Sequence, residues 1–180
     1  MHNIEPFYNW RHLYISEEDE LSPFFGEEHS EIYFTNRIYN YLIHPQWDGF
    51  GSETLYVKII YAEYELGYAI IELLGEWNDA LNNDIMLLKR EVIEVMEQKG
   101  INKFILIGEN VLNFHGGDDD YYEEWADELD DGWVAFVNFQ NHVQTEMRQN
   151  RLNRYIQMVS DLNWRSQKPS QLLKLIEESI

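Results

Sequence analysis

LYVKIIYAEYELGYAIIELL, residues 55–74, holds two runs of β-branched and aromatic residues separated by Glu65-Leu66-Gly67. Such side chains suit a pleated surface, and the short glycine-containing connection predicts two adjacent strands in a hairpin. The pattern then changes period. Leu81, Ile85, Leu88, Val92 and Val95 recur at steps of four and three, widened by Leu87, Ile93 and Met96. That spacing predicts an amphipathic helix over 78–99, started by Asn78 or Asp79 and ended at Gly100.

The remaining elements follow outward from this pair. INKFILIG (101–108) reads as a buried strand, DYYEEWADELD (120–130) as a short acidic helix and GWVAFVNF (132–139) as another strand. Residues 140–159 carry an interrupted helical pattern, and SQLLKLIEES (170–179) a last short helix. A hairpin followed by alternating helices and strands implies an α/β fold, a mixed sheet covered by helices.

Upstream, glycine and serine in GFGSET (49–54) mark a change of character. Residues 1–54 form an aromatic-rich N-terminal extension, expected to pack on the core because its rings would otherwise leave a large apolar surface in water. EIYFTNRIYNYLI (31–43) fits a short helix or a strand equally well. The expected division is therefore 1–54 as extension, 55–160 as α/β core and 161–180 as a short C-terminal helix.

With 44% hydrophobic and 15% aromatic residues, the 180-residue chain can bury a sizeable core. Its formal charge is −20, from 33 acidic and 13 basic residues. Such a balance favours a basic protein partner and disfavours nucleic acid and anionic membrane. Six of the basic residues fall in the last 33 positions. Without cysteine there is no disulfide, thiolate nucleophile or Cys-type zinc site. The opening MHNIEPFYNW lacks a signal pattern and no run approaches a membrane span, so the expected compartment is the cytoplasm. Oligomeric state is not legible.

IIELLGEWNDALNNDIMLLKREVIEVM (70–96), followed by KFILIGENVLNFHGGDDD (103–120), resembles the STAS domain, the family of sulfate transporters and anti-sigma-factor antagonists, over about residues 55–160. The resemblance implies a STAS-like mixed sheet and a habit of binding protein partners. In antagonist members a serine at the start of the second helix accepts phosphate. The matching positions here are His115, Gly116, Gly117 and Asp118, so the usual phospho-acceptor is missing. The whole chain also resembles a group of uncharacterised bacterial proteins, a likeness that brings no function with it.

The stretch NFHGGDDDYYEEW (113–125) concentrates the candidate chemistry. Its bland reading is architectural, with consecutive aspartates capping a helix start and complementing its dipole. Its functional reading is a weak partner-binding surface of Asp118, Asp119, Tyr121, Tyr122 and Trp125, since Tyr and Trp anchor interfaces. A metal-dependent alternative would use His115, Asp118 and Asp120. An EF-hand is excluded because the sixth position from Asp118 is Glu123 where that loop needs glycine. The six histidines are scattered with no His–His pair at helical spacing, and IHPQWDGFG (43–51) reads as a turn or a minor binding loop. No GxSxG, HExxH, Walker or GxGxxG pattern occurs. The expectation is thus a non-catalytic, cytoplasmic, protein-binding or regulatory module with no cofactor and no resident metal. Its alternative is a small metal-dependent enzyme or metal-binding protein.

Overall fold

In the computed structural model, which describes residues 3–180, two short strands, β1 (Arg37–Ile38) and β2 (Tyr41–Leu42), precede a five-stranded sheet. The sheet comprises β3 (Leu55–Glu63), β4 (Tyr68–Asn78), β5 (Lys103–His115), β6 (Trp133–Val137) and β7 (Gln157–Val159), in that spatial order. The hairpin of β3 and β4 is antiparallel and every later pair is parallel. This is a mixed α/β architecture, one five-stranded mixed sheet with helices between its strands. His2 lies outside the described residues.

The strands read as continuous apolar runs because both faces of the sheet are covered. One face carries Val57, Ile71, Leu73, Phe104, Leu106 and Phe136, packed under the helices. The other carries Ile60, Ile70, Ile105, Ile107 and Val137, packed under Trp10, Trp164 and the C-terminal helix. Gly75 adopts a φ of 123°, and a Cβ there would stand 2.1 Å from the Thr54 carbonyl oxygen, so only glycine allows β4 to bend past the start of β3.

Between β4 and β5 the expected single helix is four pieces. These are α1 (Asp79–Asn82), α2 (Asp84–Leu88), a π turn (Lys89–Ile93) and α3 (Glu94–Glu97). Asn78 starts it, its side chain accepting from the Leu81 amide at 3.0 Å, and Gly100 follows in a left-handed conformation. Asn83, also left-handed, breaks α1 from α2, and so Leu81 points to solvent with 85% exposure instead of joining the core. The π turn adds one residue to its turn and rotates the following side chains. The buried stripe therefore runs Ile85, Leu88, Val92, Ile93 and Met96, leaving Val95 half-buried.

Helix α4 (Asp120–Glu128) joins β5 to β6, and α5 (Asn141–Gln149) with a 3-10 turn at Leu152–Arg154 joins β6 to β7. Helix α6 (Pro169–Glu177) closes the chain. Two differences from the sequence reading matter. β5 continues through GENVLNFH to His115, and residues 157–159, read as helix, form the edge strand β7. The N-terminal aromatics are spread across the molecule. Phe24 enters the main core, Phe7 and Trp10 stack edge-on around Trp164, and Trp47 packs with Ile38, Ile43, Tyr56 and Leu74.

Candidate functional site

β4 and β5 stop together, with Trp77 opposite Phe114 and Asn78 opposite His115. The carboxyl ends of parallel strands are where open α/β sheets place ligands. Trp77 and Phe114 turn into the core, their ring centroids 6.2 Å apart. Alternation sends Glu76 and His115 to the opposite face, where His115 Nε2 lies 3.2 Å from Glu76 Oε1. The other Glu76 oxygen accepts from the Tyr39 hydroxyl at 2.8 Å. A chain of three polar groups thus links the β1–β2 hairpin to the end of β5.

Tyr39 and Asn40 form the two-residue turn of that hairpin, and Tyr39 has a φ of 53°. Bulky aromatics rarely occupy this left-handed region, and the first position of such turns favours glycine. The bond to Glu76 ties the ring down, while 68% of the residue remains exposed. Ile32, Tyr33 and Tyr41 on the same segment are also exposed. Sequence reasoning noted these aromatics and assigned them to packing. The signal it lacked was that Ile38 and Ile43 alone fill the inner side of the hairpin.

The loop 116–119 behaves differently from the expected cap. A Cβ on Gly116 would meet the Asn150 side chain at 2.1 Å, and one on Gly117 would approach the Asp79 carbonyl oxygen at 3.2 Å, so these glycines permit close chain packing. Asp119 occupies the N-cap position of α4 with φ −91° and ψ 3°, and its side chain makes no capping bond. A capping side chain needs extended backbone, and this one is turned toward the Tyr155 hydroxyl at 3.4 Å. Asp118 and Asp120 are exposed.

Of the expected partner-binding residues, Tyr122 and Trp125 are in the core. They stand three apart on the inner face of α4, Tyr122 stacked on Trp77 and Trp125 edge-on to Phe104. An interface anchor must reach solvent, so these two are corrected to core residues. Tyr121 is half-buried beneath the Arg90 guanidinium, 5.9 Å from its ring centroid. The surface part of the expectation reduces to Asp118, Asp119 and Tyr121. The metal alternative fares no better as drawn. Among the described residues, His115, Asp118 and Asp120 are not among the groups whose ligand atoms converge.

The Asp79 carboxylate, just past the end of β4, is fully engaged. Oδ1 accepts from the Trp77 indole at 2.9 Å and the Ile85 amide at 2.8 Å, and Oδ2 from the Tyr122 hydroxyl at 2.6 Å. Burial pushes its pKa up to about 6, against the pull of those donors. It is a structural staple.

Two ionic clusters lie elsewhere. Glu17, His29, Asp48 and Lys58 join the N-terminal segment to β3. His29 Nδ1 is 3.0 Å from Glu17, its Nε2 is 2.6 Å from Asp48, and Lys58 bonds Glu17 and lies 3.4 Å from Asp48. Hydrogen bonds to Asp48 and then Glu17 push His29 up to about 9. Burial opposes ionisation of Glu17, but its bonds to His29 and Lys58 overcome that and hold the carboxyl well below the usual range. The Glu17, His29 and Asp48 ligand atoms lie within 4.8 Å of one another, yet Lys58 already supplies the cation. The group borders a cleft of about 430 Å³ between Phe7, Tyr8, Tyr14 and the floor at Lys58–Ile60. The second cluster repeats this logic, with buried Lys89 of the π turn bonded to Glu94, Glu124 and Glu128.

Neither a protein-family model nor a characterised protein matches the sequence. Among solved structures, the chain is similar to that of a Thermotoga maritima protein provisionally described as an anti-sigma factor antagonist. The identity is 15% and the TM-score 0.44, over 67% of this chain and 92% of that one.

Proposed function

We propose that this chain is a non-catalytic, cytoplasmic regulatory module that binds another protein through the β1–β2 hairpin and the adjoining start of α4. One observation carries the reading. Ile32, Tyr33, Tyr39 and Tyr41, between 56% and 78% exposed, gather on one ten-residue segment, and one of them is held in a conformation aromatics rarely adopt. Strain kept at a displayed side chain points to use, and exposed aromatics are efficient anchors because they bury large areas with few torsions to freeze.

The partner is a basic protein. Glu27, Glu28 and Glu31 are exposed beside Ile32 and Tyr33, and Asp118, which is exposed, and half-buried Asp119 flank the far side of His115, on a chain of net charge −20. Charge of this kind steers encounter, and the aromatics set the lifetime of the complex.

A tagged chain should retain a basic protein at low ionic strength and release it at high salt, and a Tyr33→Ser, Tyr41→Ser variant should retain at least about tenfold less. Equal retention by the variant and the parent would overturn the reading.

A further inference from the structure

The N-terminal segment and the edge strand β3 enclose a cleft of about 430 Å³, a volume in the range of small-molecule sites. Phe7, Tyr8 and Tyr14 stand in its wall, and Ile59 and Ile60 in its floor. The Tyr14 hydroxyl donates to Asp19 Oδ2 at 2.7 Å, a residue outside the cleft, so Tyr14 contributes its ring. Aromatic walls favour a flat aromatic guest through offset and edge-on contacts.

The buried polar groups of the cleft decide what such a guest carries at its inner end. Lys58 and Ser16 line the cleft and are both buried. Each Glu17 oxygen is already engaged, Oε1 with Lys58 and His29 Nδ1, and Oε2 with the Ser16 hydroxyl at 3.4 Å. Lys58 has three ammonium protons and two partners, Glu17 and Asp48. The floor therefore holds one uncommitted donor beside acceptors that are occupied. Its charge is balanced, because Lys58 and protonated His29 face Glu17 and Asp48. At the mouth, Arg11 Nη1 lies 3.4 Å from Gln46 Oε1, and among the described residues Arg11 forms no ion pair. Of the glutamates on the rim, Glu5 pairs with His44 at 3.4 Å and Glu31 is exposed, where solvent and salt screen it.

We propose that this cleft binds a small aromatic carboxylate, its ring against Phe7, Tyr8 and Tyr14 and its carboxylate accepting from the Lys58 ammonium. The bond would be charge-assisted, and the ammonium is held in place for it by Glu17 and Asp48. Arg11 adds a second positive charge at the mouth through which the anion enters. The same ring carrying an ammonium would meet a buried cation and find no open acceptor on Glu17.

The test is calorimetric titration of the full chain with naphthoate, beside naphthylmethylamine, which carries the opposite charge on the same ring. One saturable equivalent of naphthoate is expected, with the amine at least about tenfold weaker. Tyr8→Ala and Arg11→Glu, both at exposed positions, should each weaken naphthoate at least about tenfold, and Lys58→Met should abolish its binding. Tyr33→Ser with Tyr41→Ser should leave it unchanged, which keeps the cleft distinct from the docking hairpin. Unsaturable naphthoate uptake, an amine that binds as tightly, full affinity in Tyr8→Ala, or loss in the hairpin variant would each overturn the assignment. If Lys58→Met fails to fold, the amine comparison and the two exposed variants decide alone.

Discussion

The Tyr122 hydroxyl donates to Asp79 Oδ2 across 2.6 Å, joining the start of α1, just past β4, to the first turn of α4. Both residues are buried, and Asp79 also receives the Trp77 indole and the Ile85 amide. One aspartate therefore fixes the geometry of everything at the carboxyl end of β4.

Tyr122→Phe removes that donor without changing the ring. The vacated carboxylate oxygen stays buried, so a loss of about 1–3 kcal/mol is expected in denaturant unfolding. The loss should be larger above pH 6 than at pH 4, because the bond serves the ionised carboxylate and Asp79 titrates at about 6. A variant as stable as the parent at pH 8 would show that the contact carries no weight.

Glu72 makes a pH-dependent contribution of defined sign. It sits buried in the middle of β4, accepts the Phe7 amide at 2.7 Å, and burial pushes its pKa up to about 7. A carboxyl whose folded pKa is raised contributes stability that is fully present below its unfolded value near 4.5 and is lost as pH climbs through 7. The loss is on the order of 3 kcal/mol at most. Chemical denaturation from pH 4 to pH 8 should show a downward slope that Glu72→Gln flattens. An unaltered slope would remove Glu72 from the account.

Leu81 and Leu88 belong to the same stripe in the sequence and have opposite fates in the fold. Leu88→Ala should cost about 2–5 kcal/mol, as for a closed core site. Leu81→Ala should stay within about 0.5 kcal/mol, as for an exposed position. Equal costs would mean that the break at Asn83 is misplaced.

This contrast shows what was legible. The hairpin, the α/β order and most of the helix stripe follow from side-chain period, which the chain expresses locally. The break at Asn83 and the π turn at Lys89–Ile93 do not, because an Asn in left-handed backbone and one extra residue in a turn leave no mark on periodicity. β7 escaped for a similar reason. Three residues with an exposed Gln157 are too few to alternate visibly, and they become a strand only beside β6. At the candidate site, sequence found His115 and the acidic loop. The ring of Tyr39 arrives there from a distant position, through its bond to Glu76, a contact that only the folded chain supplies.

The central claim, that the exposed aromatic hairpin is a protein-docking face, is tested most directly by site-specific photocrosslinking in the cell. A photoreactive phenylalanine analogue at Tyr41 should yield one discrete adduct with a basic protein, and the same analogue at Leu66, exposed in the turn that joins β3 to β4, should yield none. No adduct at position 41, or matching adducts at 41 and 66, would contradict the claim.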